Sequence, residues 1–173
     1  LQRSNAQDMD HAVHAARQCL DAVWHKLAAA ERGRLLMRLS ATVLQHADEL
    51  AALEQRDCGK PTRQARADVQ ALARYFEFYA GACDKLHGET IPYQDGYSVF
   101  TWREPHGVTG HIIPWNYPMQ IFGRSVGGAL AAGNVCVVKP AEDAGLSLLR
   151  VAQLAAQAGF PSGATSIESG HLL

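Results

Sequence analysis

Apolar residues return at alternating steps of three and four through the first half of the chain, the rhythm of helices that bury one face. From Asp8 to about Leu27 the stripe is Val13, Ala16, Leu20, Val23 and Leu27, and Asp8 is placed to cap its start. A second helical stretch, from about Glu31 to Gln45, carries Leu35, Leu36, Leu39 and Val43. A third runs from about Asp48 to Asp57 and ends at Gly59-Lys60-Pro61, because glycine followed by proline stops a helix. Thr62 can cap a fourth, whose apolar positions Val69, Leu72, Phe76 and Tyr79 lead to a stop near Gly88.

Past Gly88 the period changes from helical to extended. The run from Tyr97 to Trp102 is rich in aromatic and β-branched residues, and Asp95-Gly96 just before it is a turn signal. Thr90 to Pro92 and Tyr97 to Arg103 are expected to pair as a hairpin. Val108 to Ile113 reads as a buried strand, Met119 to Ala132 as a helix containing small residues, Val135 to Lys139 as a second buried strand and Ser147 to Ala158 as a further helix. Strand, helix, strand, helix opens a parallel sheet. The expected fold class is therefore α/β, with N-terminal helices, a β-hairpin arm and the opening βαβ of an incomplete Rossmann-like domain. The expected divisions are residues 1–88 for the helical segment, 89–107 for the arm and 108–173 for the start of the α/β domain.

With 173 residues the chain can bury one substantial core. Hydrophobic residues make up 47% and the formal net charge is -1 with both signs mixed along the chain, which removes any electrostatic case for nucleic acid or a membrane surface. The most apolar stretch, Val126 to Val138, is interrupted by glycine and asparagine and is too short to span a bilayer. No basic-then-apolar leader opens the chain, and Leu1 in place of an initiator Met makes the start an expected fragment boundary. Cys19, Cys58, Cys83 and Cys136 are widely separated, as the reduced thiols of a cytoplasmic protein are.

A βαβ unit binds ligands beyond the carboxyl ends of its strands, and two motifs fall there: Pro114 to Pro118 after the first strand and Lys139 to Glu142 after the second. No dinucleotide glycine fingerprint follows the first strand, since Gly123, Gly127 and Gly128 lie inside the expected helix at the wrong spacing, and Lys139 lacks the glycines of a P-loop. Asn116 carries a side-chain amide just before a helix start, where amide and helix dipole could both face a developing oxyanion. The plainer reading is an Asn that caps the helix. Lys139 and Glu142, unaided, read as two solvated charges flanking a proline. His11 and His14 share a helix face, but no further ligand completes a site, so no metal is expected. Cys136 lies in an apolar run with no neighbour to lower its pKa and is a poor nucleophile candidate. Tyr75, Phe76, Phe78 and Tyr79 go most of the way round a helix, which suits packing better than base stacking.

Taken jointly, the run from Glu104 to Pro118, then Gly128 to Asn134, Lys139 to Glu142 and Ala158 to Pro161, resemble consecutive motifs of the aldehyde dehydrogenases in order and spacing. The resemblance runs from the first helix to about Gly163 and would cover roughly the first third of a typical multi-domain member. It implies that Ile112, Ile113, Pro114 and Trp115 line an NAD cleft, that Asn116 donates to the oxyanion, and that Lys139 and Glu142 hold the adenosine ribose. Tyr117 and Arg124 would face the path of the aldehyde substrate, with Arg124 either pairing with a distal carboxylate or serving as a structural ion-pair partner. It further implies a homo-oligomer in the full-length form, assembled through the arm. The family's chemistry uses a thiolate nucleophile and a glutamate base, neither of which is identifiable here, so the chain alone is expected to be inactive. Gly128 stands where the family commonly has proline, and Ala164 to Leu173 does not read as the usual strand and glycine turn. A reading from a different class makes the chain a non-catalytic assembly partner of a longer homologue, associating through the arm and the open sheet edge.

Overall fold

The computed structural model describes residues 4–168, which hold six α-helices and five strands in the expected order, several with shifted ends. Helix α1 (Ala6–Ala22) is capped by Asn5 and not by Asp8. The Asn5 side chain accepts from the N–H groups of Gln7 and Asp8 at 2.7 and 3.2 Å, while the Asp8 carboxylate accepts the Asn5 N–H at 2.8 Å. This helix also stops short of Leu27. A 3₁₀ turn over Trp24–Lys26 drives Trp24 into the core, stacked on Phe160 with ring centroids 5.7 Å apart, and leaves Val23 exposed. The buried face of α1 is the small-residue stripe Ala12, Ala16 and Cys19, with Val13 and Leu20 at its border.

Helices α2 (Ala29–Gln45), α3 (Ala47–Cys58) and α4 (Thr62–Ala82) form a layer of their own. Gly59, at φ 66°, closes α3 in the left-handed conformation that glycine adopts without steric cost. Thr62 is not the cap expected of it: Pro61 holds that position, and the Thr62 hydroxyl donates to Gln55 Oε1 at 3.0 Å. Helix α4 ends at Ala82, before Gly88 is reached. The hairpin is shorter than expected, with β1 (Thr90–Ile91) antiparallel to β2 (Val99–Phe100), and its Tyr93, Tyr97 and Phe100 are exposed together with nearby Trp102.

Strands β3 (Val108–Ile113), β4 (Val135–Pro140) and β5 (Thr165–Ile167) form a parallel sheet in that order. The presence of β5 corrects the reading of Ala164 onward as unstrandlike. It offers a single large apolar residue, Ile167, and owes its extension to its neighbour: Cys136 N–H donates to Ala164 O at 2.9 Å and Glu168 N–H to Val138 O at 2.8 Å. Residues 169–173 of that stretch lie outside the described residues. The crossovers α5 (Pro118–Ala131) and α6 (Leu146–Gln157) both step the same way across the sheet, so right-handed connections put both on one face. Helix α1 covers part of the other face, where Val135 and Val137 are buried, and Ser4 Oγ donates to Glu168 Oε2 at 2.8 Å beside its start.

The helical layer packs behind α5 and α6, and one apolar cluster runs through both layers. Close approach of α4 to α5 depends on missing side chains: a Cβ at Gly123 would stand 3.0 Å from Leu72 Cδ1, and one at Gly127 2.9 Å from Tyr79 Cδ2. The glycines that fail as a nucleotide fingerprint thus seat the aromatic face of α4. Among the described residues no helix is long and apolar enough to cross a membrane.

Candidate active site at the carboxyl end of the sheet

Parallel pairing sets Ile112 opposite Lys139 and Ile113 opposite Pro140, so the two candidate motifs emerge side by side from the carboxyl ends of β3 and β4. Because strand neighbours in register share a face, Ile112 and Lys139 lie on the face that α1 only partly covers. Ile112 is 78% exposed there and Lys139 half-buried, whereas Ile113 points the other way and is fully buried under α5. Ala141 N–H donates to Ile113 O at 2.8 Å and fastens the second motif to the first. Glu142 is half-buried just beyond. An exposed isoleucine next to a lysine and a carboxylate, at strand ends, offers an apolar wall and polar groups of both signs, which fits a nucleoside with its hydroxyls.

Pro114, Trp115, Asn116 and Tyr117 form the loop into α5, with Trp115 66% exposed. The capping role open to Asn116 is not realised. Tyr117 occupies the cap position, no side chain caps this helix end, and no hydrogen bond among the described residues engages the Asn116 side chain. Pro118 has no N–H to satisfy, and the first intrahelical bond runs from Ile121 N–H to Tyr117 O at 2.9 Å, so the N–H groups of Met119 and Gln120 point out of the helix end. Asn116 therefore adds an amide donor to a helix N-terminus that already favours negative charge. Arg124 is exposed on α5 and joins no ion pair among the described residues.

Beneath this loop lies a buried ionic cluster that sequence reading passed over as a helix stop. Lys60 Nζ donates to Glu54 Oε1 at 2.8 Å and to Asp68 Oδ2 at 2.6 Å, and both carboxylates are fully buried. Their other oxygens are also occupied: Ser147 Oγ donates to Glu54 Oε2 at 2.7 Å, while Gln64 and Gln120 amides donate to Asp68 Oδ1 at 2.9 and 2.7 Å. Burial pulls the Lys60 pKa down, but hydrogen bonds to Asp68 and Glu54 outweigh it and hold the ammonium above the ordinary lysine range. The remaining direction of the ammonium faces the Tyr117 ring, 4.7 Å from its centroid. A signal for this cluster was present: Glu54 follows Leu50 by four and Asp68 precedes Leu72 by four, which puts both charges on buried stripes.

The four thiols sit in surroundings that keep them protonated. Burial pushes Cys136 up to about 12, and burial together with the nearby Glu54 charge pushes Cys58 up to about 11; burial raises Cys19 and Cys83 as well. Under α5, Thr109 Oγ1 donates to Val135 O at 3.1 Å and accepts from His111 Nε2, 2.9 Å away, which leaves His111 Nδ1 to accept from Ser125 Oγ at 2.6 Å. Burial lowers the His111 pKa and keeps this ring neutral. Among the described residues no group of three or more His, Cys, Asp or Glu could hold a metal ion; His11 is exposed and His14 contacts Gln18.

Comparison with known proteins agrees with this architecture. The family model described as the aldehyde dehydrogenase family matches residues 1–171. A mitochondrial aldehyde dehydrogenase family 2 member of Arabidopsis thaliana is 46% identical over 168 residues, covering 96% of this chain and 31% of its own length. A crystal structure of a protein assigned as an aldehyde dehydrogenase from Burkholderia cenocepacia superposes with a TM-score of 0.97 at 69% identity, over 99% of this chain and 36% of that one. The NAD+ complex of an aldehyde dehydrogenase from Bacillus cereus superposes with a TM-score of 0.95 at 40% identity, over 98% of this chain and 35% of that one. The chain thus spans about a third of the length of the relatives it matches.

Proposed function

The chain belongs to the aldehyde dehydrogenase family, and on that premise we propose that it forms the cofactor wall and the oxyanion donor of an NAD-dependent site that oxidises an aldehyde, with water, to the carboxylic acid. The observation that carries this reading is Asn116: an exposed amide with no hydrogen bond among the described residues, beside an uncapped helix N-terminus. Aimed at an aldehyde oxygen, its N–H₂ would stabilise the charge that develops when the carbonyl carbon is attacked. Ile112, Pro114 and Trp115 form the cleft wall, with Ile113 buried behind it under α5 and so not lining it as expected, and Lys139 and Glu142 grip the adenosine ribose from the end of β4. Bound there, NAD supplies the hydride acceptor. Tyr117 and Arg124 flank the substrate path, Arg124 as the fork that would favour a carboxylate-bearing aldehyde. Raised thiol pKa values support a nucleophile supplied by residues outside this chain, so the chain alone does not oxidise aldehydes. The reduced state of scattered thiols suits a cytoplasmic setting.

The test is a chimera in which this chain replaces the matching third of the Burkholderia protein. NAD-dependent aldehyde oxidation is expected, with Asn116→Ala lowering kcat by about 10²–10³. An unchanged kcat in a folded Asn116→Ala chimera rejects the oxyanion role. The same chimera assayed with NADP after Glu142→Ser, and with acidic against uncharged aldehydes after Arg124→Leu, tests those two residues.

A second reading is favoured by the exposed aromatics of the arm: assembly with like chains, or with a longer homologue, through Tyr93, Tyr97, Phe100 and Trp102. Light scattering that finds the chain monomeric, alone and mixed with the Burkholderia protein, would remove it.

A further inference from the structure

We propose that Lys60 and Cys58 are positioning residues for Asn116, holding the loop that presents its amide from the C-terminal end of α3. This rests on the reading of Asn116 as the oxyanion donor, but its geometry and its test stand apart from catalysis.

Asn116 makes no side-chain bond of its own among the described residues, yet it sits between two anchored neighbours. On one side the Cys58 thiol donates to the Trp115 carbonyl at 3.4 Å. On the other the Lys60 ammonium lies 4.7 Å from the centre of the Tyr117 ring. Both anchors come from the three-residue segment Cys58-Gly59-Lys60, whose course is fixed by the left-handed Gly59. Lys60 cannot swing away, because two of its three N–H directions are held by the buried Glu54 and Asp68 carboxylates, themselves satisfied from α4, α5 and α6. The thiol is suited to donate, since burial and the Glu54 charge hold it protonated far above neutral pH. The cluster thereby passes the rigidity of the helical layer to an otherwise solvent-exposed loop.

Backbone ¹⁵N relaxation of this chain reads the effect without any turnover. Asn116 should be ordered in the unaltered chain, with an order parameter near ~0.85, and should fall below ~0.6 in Tyr117→Leu, which removes the ring face but leaves the buried ion pairs intact. Tyr117→Phe keeps a ring over the ammonium and should restore the ordered value; Cys58→Ala should loosen Asn116 by a smaller step. An Asn116 that is equally ordered in all four chains, or already loose in the unaltered one, overturns the proposal. A lowered melting temperature in Tyr117→Leu with Asn116 still ordered would do the same, since it would reduce the contact to bulk stability. Loss of kcat in the Asn116→Ala chimera addresses the oxyanion reading alone, so the two ideas fail separately.

Discussion

The cluster around Lys60 and the loop above it, from Pro114 to Pro118, occupy adjacent volumes and obey opposite rules. In the cluster every carboxylate oxygen accepts a hydrogen bond and both acids are sealed from solvent. In the loop Trp115 stands in solvent, Asn116 keeps its amide unspent, and the helix end behind it is left uncapped. Buried charge is tolerable only where all its partners are present, whereas a working group must keep a valence open for something that arrives later. The difference separates support from surface within about one helix diameter.

The most disruptive way to probe that contrast is to leave the acids without their cation. Lys60→Met should cost about 3–5 kcal/mol in urea unfolding, because two carboxylates stay buried with no counter-charge. Adding Glu54→Gln and Asp68→Asn to it should recover part of the loss; a triple variant less stable than Lys60→Met would show that the charges are not the cause. The raised Lys60 pKa also gives a direction with pH: its contribution is complete below the unfolded lysine value of about 10.4 and is lost as pH rises through the higher folded value.

A milder probe lies under α5. His111 is held neutral by burial, so its folded pKa is below the unfolded value and the unfolded chain binds the extra proton. Stability should therefore fall as pH drops below about 6.5 toward the folded pKa, by at most about 1.4 kcal/mol per pH unit for one proton. Urea midpoints measured from pH 7.5 down to 5 check this, and His111→Gln should flatten the profile; an identical slope in that variant assigns the effect elsewhere.

The smallest effect is expected at the surface itself. Asn116→Ala should alter stability by less than about 0.5 kcal/mol, since the side chain is exposed and bonds to nothing among the described residues. A loss near 1 kcal/mol would restore the capping role and erase the contrast.

These two regions also differ in how far they could be read from sequence. Strand, loop and helix around Pro114 to Pro118 were legible because Val108 to Ile113 is rich in β-branched residues and Val135 to Val138 is an apolar run, each closed by a proline soon after, which fixes where their carboxyl ends fall. Whether Asn116 caps the helix was not legible, because it depends on a loop path set from α3, more than fifty residues earlier. The cluster was hidden for a related reason. Glu54 and Asp68 look like gaps in apolar stripes, and what makes them tolerable, Lys60, Gln120 and Ser147, comes from separate turns and helices. Asp8 and Thr62 misled as caps because several polar residues cluster at each helix start and only backbone geometry selects among them. Strand β5 was missed because three residues carry too little pattern of their own, and pairing with β4 supplies what the local sequence lacks.

The seating of α1 has a consequence for the order in which the molecule can be made. Its buried stripe of Ala12, Ala16 and Cys19 rests on a sheet face that does not exist until β4 and then β5 have been synthesised, and the bond from Ser4 to Glu168 spans 164 positions of sequence. Helices α2 to α4 can begin to associate from local contacts, but α1 is made well before the strands it rests on and finds its partner last among these elements. During that interval a nascent chain carries an amphipathic helix with its apolar side uncovered, and a chaperone that recognises such segments has its longest opportunity at α1.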